Sequence, residues 1–235
     1  ARALLAEDPR VTRTGDGRWA LAVGGAVPAL DACRFAVVDV EATGTSPRRG
    51  ARVIEVAIAT IVGGDVQLAY ETLINPGMPI GPFVTRLTGI TDAMVRDAPT
   101  FNRVADEVLG ALAGAVFVAH HARFDWTFIS AELRRARALL IGGPRLCTLR
   151  LARRLLPALE SRNLDALVHY FGFEVAGRHR AGPDALAAAR ILGRLLEIAT
   201  QRGAMTLADL TGGIGRQVSG VGGGGGGGGS ELSCR

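Results

Sequence analysis

The chain contains no lysine, so all 27 of its basic residues are arginine. Such a bias reflects genome composition as much as a selected surface. The formal net charge of +5 is therefore compatible with a polyanionic partner without establishing one. Cysteine is scarce. Cys33, Cys147 and Cys234 are too far apart for a zinc pattern or a disulfide framework, which suits a reducing cytoplasm. No apolar run reaches transmembrane length and no signal peptide is present, so neither a membrane span nor export is expected. The first residue is Ala1 rather than Met, which suggests a fragment or a processed chain. What is present is an ordinary apolar content, 48% of 235 residues, enough for one packed domain with appendages.

Three parts are expected. Residues 1–32 read as an N-terminal extension: a helix end, "ARALLAED", then a hairpin, "RVTRTGDGRWALAV", turning at Asp16-Gly17. The piece resembles the last helix and wing of a winged-helix module. Equally, it reads as an extension packed on the main body. Residues 33–202 form that body. Its runs "RVIEVAIATIV" and "VQLAYETLINP" flank Gly63-Gly64-Asp65 and predict a hairpin. "AVFVAH" predicts a short buried strand and "APTFNRVADEVLGALAG" a helix. Four more helical stretches follow: "FDWTFISAELRRARA", "CTLRLARRLLPAL", "NLDALVHYFG" and "GPDALAAARILGRLLEIAT". Strands first, then a strand and helices interleaved, argue for an α/β fold with a mixed sheet covered by helices. Residues 203–235 contain "MTLADLTG", a helical turn or two. A run of eight glycines follows, the composition of a flexible linker.

"RFAVVDVEAT", residues 34–43, begins as a strand covered on both faces and then carries two acids. Residues i and i+2 of a strand share a face, so Asp39 and Glu41 present two carboxylates to one point, roughly 6–7 Å apart at Cα. Such a pair beside a core is unfavourable unless cations compensate. A hard divalent metal site would do so. So would an exposed strand end with Arg48, Arg49 or Arg52 as partners. Two further stretches bear on the choice. In "VAHHARFDWTFI", Asp125 sits where a helix starts. In "HRAGPDALAAARIL", Pro183 suits a first helical position, Asp184 falls in the first turn and His179 lies just upstream. Taken singly, each acid also reads as an ordinary first-turn residue, and His179 as a solvated loop residue.

In this order and spacing the residues resemble the DnaQ-like 3′→5′ exonucleases of the DEDDh type, which include the proofreading epsilon subunit of bacterial DNA polymerase III. Asp39, Glu41, Thr43 and Gly44 match the Asp-x-Glu motif and the Thr-Gly after it. "AHHARFD" matches His-Asn-Ala-x-Phe-Asp, with His121 where Asn is usual. His179, Ala181, Asp184 and Ala185 match His-x-Ala-x-x-Asp-Ala. "NPGMPIGPFVTRLTGITDAMV" resembles the segment between the third strand and the first helix of that family.

The resemblance implies a ribonuclease H-like mixed five-stranded sheet flanked by helices. It also implies two divalent cations, Mg²⁺ or Mn²⁺, about 3.5–4 Å apart. Asp39 would bridge them, Glu41 and Asp184 would complete the tighter site, and Asp125 the second. His179 would be the general base that takes a proton from the attacking water. Backbone near Thr43 and Gly44, with Leu87 and Phe124, would hold the terminal nucleotide. His120 and His121 would either reach the phosphates or support the loop. The expected reaction releases nucleoside monophosphates from single-stranded or mispaired DNA 3′ ends, in proofreading or repair, with a DNA polymerase or repair protein as partner. Two alternatives stand beside it: a 3′→5′ RNA exonuclease of the same fold, and a catalytically silent binding module of a polymerase or repair assembly.

Overall fold

The structure, a computed structural model, describes residues 29–211 and the backbone of 11–13 and 19–21. In the N-terminal part, β1 (Val11–Arg13) pairs antiparallel with β2 (Trp19–Leu21). The turn expected at Asp16-Gly17, the helix end before β1 and the glycine run of the tail lie outside the described residues.

The main sheet has five strands in the order β5-β4-β3-β6-β7. These are β3 (Phe35–Ala42), β4 (Val53–Val62), β5 (Asp65–Leu73), β6 (Val116–Ala119) and β7 (Arg145–Cys147). β3, β4 and β5 form an antiparallel meander, and β6 and β7 join it in parallel. Val62 faces Asp65 across the hairpin, so Gly63 and Gly64 alone make the turn, with φ of +57° and +92°. A two-residue turn needs such angles and glycine supplies them. β7 carried no legible sign in the sequence, because three residues are too few to show alternation.

Eight α-helices lie among the described residues: α1 (Pro82–Thr88), α2 (Asp92–Val95), α3 (Phe101–Leu112), α4 (Ala122–Arg137), α5 (Thr148–Leu155), α6 (Leu164–Tyr170), α7 (Ala181–Gln201) and α8 (Leu207–Thr211). α1 and α2 break up the segment that reads in sequence only as a connection. A small cluster of Ile54, Ile80, Ile90 and Val95 holds them to the sheet. α7 begins two residues earlier than the position of Pro183 suggests. Proline is tolerated throughout a first turn, where N–H groups have no intrahelical partner, so it marks the start only loosely. Leu30 donates its N–H to the Met205 carbonyl at 3.0 Å, and Ala29 bridges with Thr206. Those contacts join the end of the N-terminal extension to the start of the C-terminal part, just outside the body. No helix among the described residues is long and apolar enough to cross a membrane.

The alternation of β3 divides the core. Phe35 and Val37, with Ala57, Ala59 and Ile61 of β4, pack under α5, α6 and α7. Ala36, Val38 and Val40 pack on the opposite face under α3 and α4. On α7 the buried contacts include Ala181, Ala185, Ala188 and Ala189, each 0–1% exposed. Side chains this small let the helix lie close to the sheet.

On the α4 side, the Glu132 carboxylate is 1% exposed and accepts Arg52 Nε at 2.7 Å and Nη2 at 2.9 Å. The partners are unequal, since the Arg52 side chain is 31% exposed. Arg52→Ala leaves a buried carboxylate with less compensation and should cost about 3 kcal/mol. Glu132→Gln leaves an arginine that can turn to water and should cost less. Urea unfolding of both variants checks this order; equal losses below about 1 kcal/mol would mean that the pair is solvated.

Candidate active site

Asp39 and Glu41 continue the face of β3 that begins with Phe35 and Val37, so they point to the side covered by α7. Directly opposite Glu41 in the β3–β4 register stands Glu55, 1% exposed. Asp184 comes down onto this group from the first turn of α7 and is 6% exposed. Carboxylate oxygens of Asp39, Glu41 and Asp184 lie within 4.8 Å of one another.

Asp125 arrives from the other side of the strand end. β3 pairs with β6 only as far as Val37, so the edge beyond is open. The N–H of Val40 is donated there to Asp125 Oδ1 at 3.2 Å. Asp125, in the first turn of α4, is 3% exposed. It is thus a buried acid tied to the strand of Asp39, and not an ordinary solvated first-turn residue. It stands outside the set of three that converge within 4.8 Å.

Burial raises the proton affinity of Asp39, Glu41 and Asp125, and repulsion from neighbouring carboxylates adds to it at Asp39 and Glu41. Asp39 is held well above the ordinary carboxylate range, first by desolvation and then by Asp125 and Glu41. Glu41 is pushed up to about 8, by desolvation and then by Glu55 and Asp125. Desolvation raises Asp125 to about 7, against the lowering effect of the main-chain N–H groups it accepts. The offsetting cations are not those the sequence suggested. Arg52 pairs with Glu132, and Arg48 and Arg49 are exposed. Arg178 bridges Asp184 and Asp165, and Arg180 grips Glu55. Sequence reading missed Glu55, Arg178 and Arg180. Glu55 did carry a signal, as the lone acid inside the apolar run "VIEVAIATIV".

His179 is exposed, stands immediately before the N-cap of α7 at φ +63°, and donates its N–H to Asp184 Oδ2 at 3.3 Å. His120 is turned inward. Its Nδ1 is 2.9 Å from the Thr148 hydroxyl, its Nε2 is buried without a hydrogen-bond partner, and burial pushes its pKa down to about 4. The ring is therefore buried and neutral, while His121 is exposed. Thr43 closes the loop after β3: its N–H is donated to the Arg52 carbonyl at 2.8 Å and its hydroxyl accepts the Arg52 N–H at 3.0 Å. Gly44 packs by Ala51. The Thr43 hydroxyl also lies 3.8 Å from the sulfur of Met78, the approach to α1. On α1, Leu87 is 47% and Phe83 68% exposed; they are four residues apart and share one face. Phe124 is half-buried, with its ring centroid 4.8 Å from that of Phe128.

Three converging acids with oxygen donors only, two of them, Asp39 and Glu41, with raised proton affinities, fit a hard divalent cation. The same crowding sets the pH dependence of the metal-free fold. Unfolded carboxylates titrate near 4, whereas folded Glu41 and Asp125 titrate near 8 and 7. Between those limits the unfolded chain releases protons that the folded one keeps, so stability falls as pH rises and levels off above about 8. Calorimetry in chelator should show the melting temperature dropping from about pH 5 to pH 8, and Asp39→Asn should flatten the drop. A flat or rising wild-type profile would mean that the acids are solvated.

Residues 36–192 match a family described as "Exonuclease", of the RNase T type. The chain is 37% identical over 163 residues to the DNA polymerase III subunit epsilon of Aquifex aeolicus (strain VF5), covering 69% of this chain and 80% of that protein. It is 37% identical over 177 residues to the 3′-5′ exonuclease DinG of Bacillus subtilis (strain 168), and here the match covers 75% of this chain but only 19% of the relative. The match to the PolC-type DNA polymerase III of Caldanaerobacter subterraneus subsp. tengcongensis, 36% identical over 176 residues, covers 75% of this chain and 12% of that protein. Among solved structures, Exonuclease X in complex with 5′ overhanging duplex DNA superposes with a TM-score of 0.58 at 28% identity, over 76% of this chain and 99% of that one. An exonuclease I structure superposes with a TM-score of 0.60 at 18% identity, over 72% and 44%, a likeness of fold. With its ribonuclease H-like sheet and its ordered motifs, the chain belongs to the DnaQ-like family of 3′→5′ exonucleases, which are hydrolytic nucleases.

Proposed function

We propose that this chain hydrolyses single-stranded or mispaired DNA from the 3′ end, releasing nucleoside monophosphates in proofreading or repair. The observation that carries the reading is the convergence of Asp39, Glu41 and Asp184 within 4.8 Å, with Asp125 tied to the same strand through Val40. The exonuclease domain is taken as 33–202, with 1–32 and 203–235 as appendages to a polymerase or repair partner. A cytoplasmic setting accords with the free thiols of Cys33 and Cys147.

Asp39, Glu41, Asp184 and Asp125 would hold two divalent cations, Mg²⁺ or Mn²⁺. When bound, such ions supply Lewis-acid charge to the attacking water and to the leaving 3′ oxygen. The protein's own residues do the rest. His179 takes the proton from the attacking water, and its exposed ring passes that proton on to solvent. The loop closed by Thr43 and Gly44 offers main-chain groups to the terminal nucleotide. Phe124 and the exposed Leu87 supply apolar surface for its base and sugar. His120, inward and neutral, supports the loop that carries Asp125. The RNA-directed reading shares every one of these residues. The likeness to an epsilon subunit over 80% of that protein's length favours DNA.

Asp39→Ala and Asp125→Ala should each abolish nucleotide release with the fold kept. His179→Ala should lose about 10²–10⁴ in turnover while retaining Mn²⁺ binding, because imidazole is not among the proposed ligands. The measurement is nucleotide release from labelled single-stranded DNA, RNA, and matched and mispaired primer ends, beside Mn²⁺ calorimetry. Single strands and mispairs should be degraded faster than matched ends, because unpairing a matched end costs a few kcal/mol. Full activity of either Asp variant would refute the metal assignment. Faster turnover of RNA would favour the alternative substrate.

A further inference from the structure

We propose that Glu55 is a positioning residue, which holds His179 in register with the metal-binding acids by anchoring the chain where it enters α7. This rests on the reading of His179 as the base. Glu55 is buried to 1% exposure directly across from Glu41, and like charges face to face on neighbouring strands are destabilising. Its carboxylate has a specific use. Both of its oxygens are 3.0 Å from Arg180 Nε, Oε1 is 2.5 Å from Arg180 Nη2, and Oε2 accepts the Ala181 N–H at 2.8 Å. Arg180 is the N-cap of α7 and Ala181 its first residue. One carboxylate from the middle of the sheet therefore fixes two consecutive residues of the incoming chain.

His179 is the next residue back, and its backbone is left-handed at φ +63°. A non-glycine residue rarely adopts that conformation unaided, so its surroundings must impose it. On one side the Glu55 anchor does so. On the other, the His179 N–H is donated to Asp184, whose carboxylate also pairs with Arg178. At Gly182 the helix start runs past the carboxylate of Glu71 on β5, the movable end of an exposed side chain. The segment thus has its entry point clamped to β4 through Glu55, with the His179 N–H held by Asp184. Without the clamp, the acids on β3 keep their places in the strand while His179 is free to relax to ordinary φ.

The test is a double-mutant cycle on turnover with Glu55→Gln, His179→Ala and the pair, with Mn²⁺ binding followed by calorimetry. Glu55→Gln alone should lower kcat about 10- to 100-fold with KM and Mn²⁺ affinity within about threefold, and should cost nothing further in the His179→Ala background. In the metal-free protein the amides of His179 and Ala181 should exchange with solvent faster. Arg180→Gln, whose side chain is 35% exposed in the wild type, provides the same test from the loop side should Glu55→Gln fail to fold. Unchanged kcat in the single variants, or an equal loss in both backgrounds, would overturn the proposal. A matching loss of Mn²⁺ affinity would also overturn it, by placing Glu55 with the ligands. Full turnover by His179→Ala would remove the base assignment and the inference with it, a result separate from any failure of the anchor alone.

Discussion

Electrostatic crowding at one end of a buried strand governs much of this molecule. At an effective dielectric near 20, two like charges about 5 Å apart repel by roughly 3 kcal/mol. Asp39, Glu41 and Asp184 approach within 4.8 Å, and Glu55 and Asp125 stand beside them. A few such pairs, all ionised, would consume most of the 5–15 kcal/mol by which a domain is stable. The fold answers with raised proton affinities at Asp39, Glu41 and Asp125 and with fixed guanidinium groups. The remaining deficit is what makes the cluster of Asp39, Glu41 and Asp184 fit a cation.

Two kinds of compensation differ in permanence. Glu55 and Glu132 are each 1% exposed, and each is met by an arginine through several hydrogen bonds. Such pairs are structural, because losing one partner strands the other in the interior. Asp39, Glu41 and Asp125 are served less completely, so their proton affinities rise. The division separates acids with fixed arginine partners from acids whose charge the fold leaves incompletely compensated. A line of small side chains makes this closeness attainable. Ala181, Ala185, Ala188 and Ala189 let α7 settle onto the sheet, which brings Asp184 down to the level of Asp39.

The relatives place this unit in varied settings. It spans 80% of an epsilon subunit but 12% and 19% of a PolC-type polymerase and of DinG. A self-contained core explains that mobility among proteins: the sheet, its two helical faces and the acids all lie between residues 29 and 211.

Much of the fold and site was legible in the sequence, because the relevant patterns are local. The buried run before Asp39, the two-glycine turn at 63–64, the helical periodicities and the three motifs each involve residues within a few positions of one another. Those spacings determined the strand that carries the first two acids, the helices that carry Asp125 and Asp184, and the family. Other features depended on long-range contacts. Glu55 meets Arg180 across 125 residues, Arg52 meets Glu132 across 80, and Asp125 meets Val40 across 85. The inward turn of His120 onto Thr148 and the left-handed backbone of His179 belong to the same class. Periodicity reports which face of an element is buried, but not which charged group waits on the neighbouring element. Register and the depth at which α7 sits decide that, and only the packed sheet sets them.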